Sequence, residues 1–146
     1  MLLDCREAKG RPVEQTAPTL ASKTCLVIDD DPDFAAFVQK VAQGAGLKAR
    51  VLTDPSLVEQ SLEASDPDVI TLDMDMRGRN GLAVLEELAV RGLDERVIII
   101  SGNPPPFVGR TRPQVRRLHV HAVLTKPIRK RDLEFALVTA LEGAAH

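Results

Sequence analysis

The sequence predicts an α/β fold, a five-stranded parallel sheet wound with helices on both faces. Three observations predict it. Short apolar, β-branched runs alternate with stretches of helical periodicity, and five such runs recur along the chain. Right-handed crossovers between parallel strands place helices on both sides of a sheet. Four of the five runs stop on a residue able to do chemistry, as expected where parallel strands deliver side chains to one edge of a sheet. The clearest case is Asp68 to Gly81, DVITLDMDMRGRNG. There the apolar run Val69 to Leu72 ends on Asp73, and a Gly/Asn/Arg loop precedes the next amphipathic segment.

In chain order, residues 1–23 mix Pro12, Pro18, Gly10 and charge without periodicity and read as a flexible N-terminal extension; residues 24–146 form the domain. Thr24 to Ile28 is a strand stopping on Asp29, Asp30 and Asp31. Asp31 is suited to cap the following helix and Pro32 to its first turn. Phe34, Phe37, Val38 and Val41 then recur at i, i+3, i+4 and i+7, up to a stop at Gly44 or Gly46. Lys48 to Leu52 is a second strand. Asp54 and Pro55 open a helix predicted to carry Leu57, Val58 and Leu62 on one side. After the central strand, Gly81 leads into a helix through Leu85, Leu88 and Ala89 that closes near Gly92. Arg96 to Ile100 is the most apolar strand and ends at Ser101. Pro104, Pro105 and Pro106 forbid a helix start in the next crossover, so the fourth helix is expected to be irregular or shortened, with Arg110, Arg112, Arg116 and Arg117 around it. Val120 to Leu124 is the fifth strand, followed by Thr125, Lys126 and Pro127. The closing helix carries Leu133, Ala136, Leu137, Ala140 and Leu141 on one face.

Composition excludes several classes of function. A chain of 146 residues with a net charge of -2 has no global pull toward nucleic acid or an anionic membrane. No apolar run reaches membrane-spanning length, and the N-terminus lacks a secretory pattern. Of two cysteines, Cys25 lies inside an apolar run and reads as a small buried hydrophobe, while Cys5 lies in the extension; a reducing, cytoplasmic setting is expected. His119 and His121 alternate along a strand with no Cys or Glu at ligand spacing, which argues for packing rather than metal binding.

If the five strands are parallel, Asp29, Asp30, Asp73, Ser101 and Lys126 gather on one edge. Carboxylates about 4 Å apart repel by roughly 1 to 4 kcal/mol per pair, so a cation is the natural remedy. Oxygen ligands without His or Cys favour Mg²⁺, or Mn²⁺, over zinc. Lys126 adds a second positive charge and Ser101 a hydroxyl donor, both suited to a phosphoryl group carried by Asp73.

These residues, in this order, resemble a response-regulator receiver domain of two-component signalling: Asp29 and Asp30 after CLVI, Asp73 of TLDMDM, Gly81, Ser101 of IIIS, and Thr125, Lys126, Pro127. The resemblance covers Thr24 to Leu141. It implies the flavodoxin-like strand order 2-1-3-4-5 and Asp73 as acceptor of phosphate from a phosphohistidine on a histidine kinase or phosphotransfer protein. It also implies Mg²⁺ held by Asp29, Asp30, Asp73 and the backbone carbonyl of Asp75, phosphoryl contacts from Ser101, Lys126 and the backbone N–H groups of Asp75 and Gly102, and a cis bond before Pro127. Asp75 and Asn103 occupy positions that modulate acyl-phosphate lifetime in the family.

The chain departs from the family in the interrupted fourth helix and at two single positions. Val123 stands where an aromatic switch residue is common, and Arg77 replaces a frequent proline. Two other readings compete. An aspartyl-phosphate phosphatase of the haloacid dehalogenase type shares the DxD of Asp73 and Asp75, but the acid pair here comes first and no cap insertion exists. A docking module without phosphorylation would lack phosphate uptake. No output domain is visible after Leu141, and no direct contact with nucleic acid or membrane is expected; action through protein contacts is expected, as a stand-alone regulator, a relay shuttle, a phosphate sink or a receiver cut from a hybrid kinase, with Met1 and the residues before the first strand slightly favouring the stand-alone form.

Overall fold

The computed structural model describes residues 23–77, 80–102 and 119–144. Five strands form one sheet: β1 Thr24–Ile28, β2 Lys48–Leu52, β3 Val69–Asp73, β4 Val97–Ser101 and β5 Ala122–Thr125. Its order is β2-β1-β3-β4-β5 and every pairing is parallel. The described helices are α1 Pro32–Gly44, α2 Val58–Ala64, α3 Gly81–Val90 and α4 Lys130–Ala144. The expected fourth crossover helix, Asn103 and the arginines of 110–117 lie outside the described residues, as does the extension before Lys23.

Strand alternation divides the core in two. Cys25, Val27, Val69, Ile98 and Ile100 face one side and pack with Val38, Ala42, Leu133 and Leu137 of α1 and α4. Leu26, Ile28, Ile70, Leu72 and Ile99 face the other, against Val58 of α2 and Val84, Leu85 and Leu88 of α3. With both faces covered, β3 and β4 are buried along their whole length, which is why they read as continuous apolar runs. Burial pushes the Cys25 thiol up to about 12, so it behaves as a hydrophobe. No described helix is long and apolar enough to cross a membrane.

Three elements differ from expectation. Pro55–Leu57 forms a 3-10 turn before α2; at three residues per turn the phase shifts, and Leu57 turns outward while Val58 is buried. In α1 the buried stripe is Ala35, Val38, Val41 and Ala42, with Phe34 and Phe37 on its flank. β5 begins at Ala122 rather than Val120: the His119 N–H is drawn to Asp94 Oδ2 at 2.9 Å, and the ladder is joined only where His121 N–H meets Val97 O at 2.8 Å.

Candidate functional site

Strand register assembles the site. Ile28 pairs with Leu72 across β1 and β3, so Asp29 and Asp73 emerge side by side. Asp73 pairs with Ile100, placing Ser101 one step beyond, and Ser101 pairs with Thr125, placing Lys126 one step beyond that. Asp29 and Asp73 continue the alternation that faces α1. They are 2% and 3% exposed.

Carboxylate oxygens of Asp29, Asp30 and Asp73 all lie within 4.8 Å of one another. Among the described residues no other group of three or more His, Cys, Asp or Glu side chains comes together in this way. Each acid is held in place. Asp29 Oδ1 accepts from Asp31 N–H at 2.9 Å, Asp30 Oδ2 from Arg77 N–H at 2.8 Å, and Asp73 Oδ1 from Asp75 N–H at 3.0 Å. Asp31 does not join the cluster; its carboxylate caps α1 through Asp33 N–H and Phe34 N–H. Lys126 Nζ stands 3.5 Å from Asp73 Oδ1 and 4.4 Å from the centre of the Phe34 ring. The peptide between Lys126 and Pro127 is cis.

Burial raises the Asp29 carboxyl to about 7; the hydrogen bond from Asp31 opposes the rise, while Asp73 reinforces it by charge and by hydrogen bonding. Three carboxyl groups thus share a site in which Lys126, among these acids, contacts only Asp73. Hard carboxylate oxygens without nitrogen or sulfur ligands, gathered at this spacing, suit a divalent cation of the Mg²⁺ type.

The remaining predicted residues sit at the rim. Ser101 is 2% exposed, and its hydroxyl donates to Asp75 Oδ1 at 3.4 Å. Gly102 N–H donates to Asp75 Oδ2 at 2.6 Å. Val123 is half-buried and packs against the cluster under α2 and α3. Gly81 approaches the backbone of Met74: a Cβ there would lie 2.8 Å from Met74 Cα. His121 bonds Thr139 Oγ1 at 2.7 Å, a packing role.

Two contacts were not legible from the sequence. Phe34 reads as a helix-core residue, and nothing local indicates that Lys126 lies over its ring. Arg77 reads as a loop cation, yet its main chain, rather than its guanidinium, ties the loop after β3 to Asp30.

The sequence profile of the response regulator receiver domain matches residues 25–138. The chain belongs to that family of two-component signalling domains, whose members interact with histidine kinases or phosphotransfer proteins. It is 36% identical over 81 residues to the nitrate/nitrite response regulator protein NarL of Escherichia coli K12, an alignment covering 53% of this chain and 37% of NarL. It therefore spans well under half of that relative. The fold is similar to a CheY-like receiver domain from Methanospirillum hungatei JF-1, with TM-score 0.70 and 16% identity over 84% of this chain and 96% of that one. The receiver domain of NtrX from Brucella abortus is similar at TM-score 0.68 and 25% identity, over 81% and 98% of the two chains. Family membership favours the receiver reading over the phosphatase one.

Proposed function

We propose that this chain is a phosphoacceptor in a phosphorelay, with Asp73 taking a phosphoryl group from a phosphohistidine on a histidine kinase or phosphotransfer protein. The observation that carries the reading is the convergence of Asp29, Asp30 and Asp73 within 4.8 Å, with Lys126 Nζ 3.5 Å from the central acid. Asp73 is buried at a strand end, its rotation fixed by Asp75 N–H and Lys126 on Oδ1. A carboxylate oxygen attacks phosphorus, the P–O bond forms, and the P–N bond breaks with its electron pair leaving on the imidazole, which takes up a proton. Lys126 balances the charge gathering on the phosphoryl oxygens, and Ser101 Oγ–H and Gly102 N–H are placed to donate to them.

Asp29, Asp30 and Asp73 would hold Mg²⁺, joined by the Asp75 carbonyl as in the family pattern. When bound, the ion neutralises the carboxylates and the incoming phosphoryl oxygens. With Val123 in place of an aromatic, the signal passes to a protein partner without an aromatic rotamer switch at that position. The setting is cytoplasmic, where Cys25 stays reduced.

Acetyl phosphate with Mg²⁺ is expected to add one phosphate to the chain, read by intact mass, and Asp73→Asn is expected to abolish it. A parent chain that takes up no phosphate would support the docking-module reading instead. Steady hydrolysis of phosphomonoesters would support the phosphatase.

A further inference from the structure

The donors required by a phosphoryl group on Asp73 are already engaged. Gly102 N–H meets Asp75 Oδ2 at 2.6 Å, and the Ser101 hydroxyl meets Asp75 Oδ1 at 3.4 Å. The side chain reaches them because Asp73 pairs with Ile100, which leaves Asp75 and Gly102 each two residues beyond adjacent strand partners. Met74 N–H donates to Ile100 O at 2.9 Å and extends the ladder one residue further, holding the two loops together. The fit is close: a Cβ on Gly102 would stand 3.3 Å from Asp75 Oδ2. Two oxygens on one centre, carrying negative charge and shared between a hydroxyl and an amide, are the chemistry that phosphoryl oxygens would present there. Meanwhile the main chain of Asp75 serves the acceptor itself, its N–H donating to Asp73 Oδ1 at 3.0 Å.

We infer that Asp75 is a resident occupant of the phosphoryl pocket, an internal anion whose carboxylate must leave Ser101 and Gly102 before a phosphoryl oxygen takes them. The inference rests on Asp73 being the phosphoacceptor. The carboxylate stabilises the resting chain relative to the phosphorylated one, so its removal favours the phosphorylated conformation. The residue is exposed, and its truncation leaves the core untouched.

The test is a titration of the full, isotope-labelled chain with beryllium trifluoride and Mg²⁺, following the Gly102 amide by NMR in the parent and in Asp75→Ala. Without ligand, the Gly102 proton is expected downfield in the parent, as for a short charge-assisted bond, and upfield in the variant. The variant is expected to bind beryllium trifluoride about tenfold more tightly, in line with release of a charged hydrogen bond. Equal or weaker binding by the variant would overturn the occupancy while leaving the phosphoacceptor reading intact. Tighter binding with an unmoved Gly102 amide would show charge repulsion alone and would also overturn it. A parent that binds no beryllium trifluoride in the presence of Mg²⁺ would remove both.

Discussion

Lys126 is gripped from two directions, by the Asp73 carboxylate at 3.5 Å and by the face of Phe34 at 4.4 Å. The ring supplies no hydrogen bond; it supplies a quadrupole that keeps the ammonium over the site while leaving its protons for oxygen. Replacing Phe34 by Leu keeps most of the apolar volume and removes that hold. Phosphorylation by acetyl phosphate is expected to slow about fivefold, equivalent to ~1 kcal/mol, and Phe34→Tyr to restore it. Parent-like initial rates in Phe34→Leu would show that Asp73 alone positions the lysine. The three clustered acids and Lys126 were legible because each stands at or just past the stop of an apolar run, a signal that needs only the chain. The partnership of Phe34 with Lys126 was not, because helical periodicity assigns Phe34 to the core and carries no information about a strand end far along the sequence.

The loop from β3 into α3 carries two of the site's main-chain contacts, those of Asp75 and Arg77, and Asn80 and Gly81 anchor its far end by different means. Asn80 caps α3, its Oδ1 accepting from Leu82 N–H at 2.8 Å. Asn80→Ala is expected to cost about 1 kcal/mol, the usual worth of a cap. Gly81 has no positive φ to protect; what excludes a side chain there is the Met74 backbone, 2.8 Å from the position of a Cβ. Backbone cannot step aside as a flexible side chain would, so Gly81→Ala is expected to cost roughly 1–3 kcal/mol by forcing Met74 to move between Asp73 and Asp75. Urea midpoints of the two variants rank these costs, and an Ala at position 81 as stable as the parent would contradict the close approach. Sequence patterns located most strands because a strand buried on both faces is a bounded apolar run. They misjudged Leu57 and the start of β5, where a 3-10 turn and a side-chain acceptor, Asp94, decide the local path.

Across the whole molecule, the acid cluster sets a pH dependence. An ordinary aspartate titrates near 3.8, whereas Asp29 in the fold is pushed up to about 7, chiefly by burial. Between these values the folded chain keeps a proton that the unfolded chain has released, so stability falls as pH rises through this window, and the penalty is complete above about 7. Its size is on the order of 4 kcal/mol. The metal-free chain is therefore expected to show a lower urea midpoint near pH 8 than near pH 5.5, and Mg²⁺ to raise the midpoint more at the higher pH. A metal-free midpoint that climbs over that range would contradict the buried, crowded environment of Asp29. The parallel sheet and the gathering of the acids at one edge follow from five alternating strand and helix signals; the order β2-β1-β3-β4-β5 was implied only by the family resemblance. Distances, the raised Asp29 carboxyl and the occupation of Ser101 and Gly102 by Asp75 come from register and burial, which no local pattern encodes. The most direct measurement is the position of the phosphate: phosphorylate the chain with Mg²⁺ present, reduce the acyl phosphate with borohydride, and map the product by tandem mass spectrometry. The account predicts homoserine at position 73 and nowhere else; reduction at another acid, or at none, would contradict it.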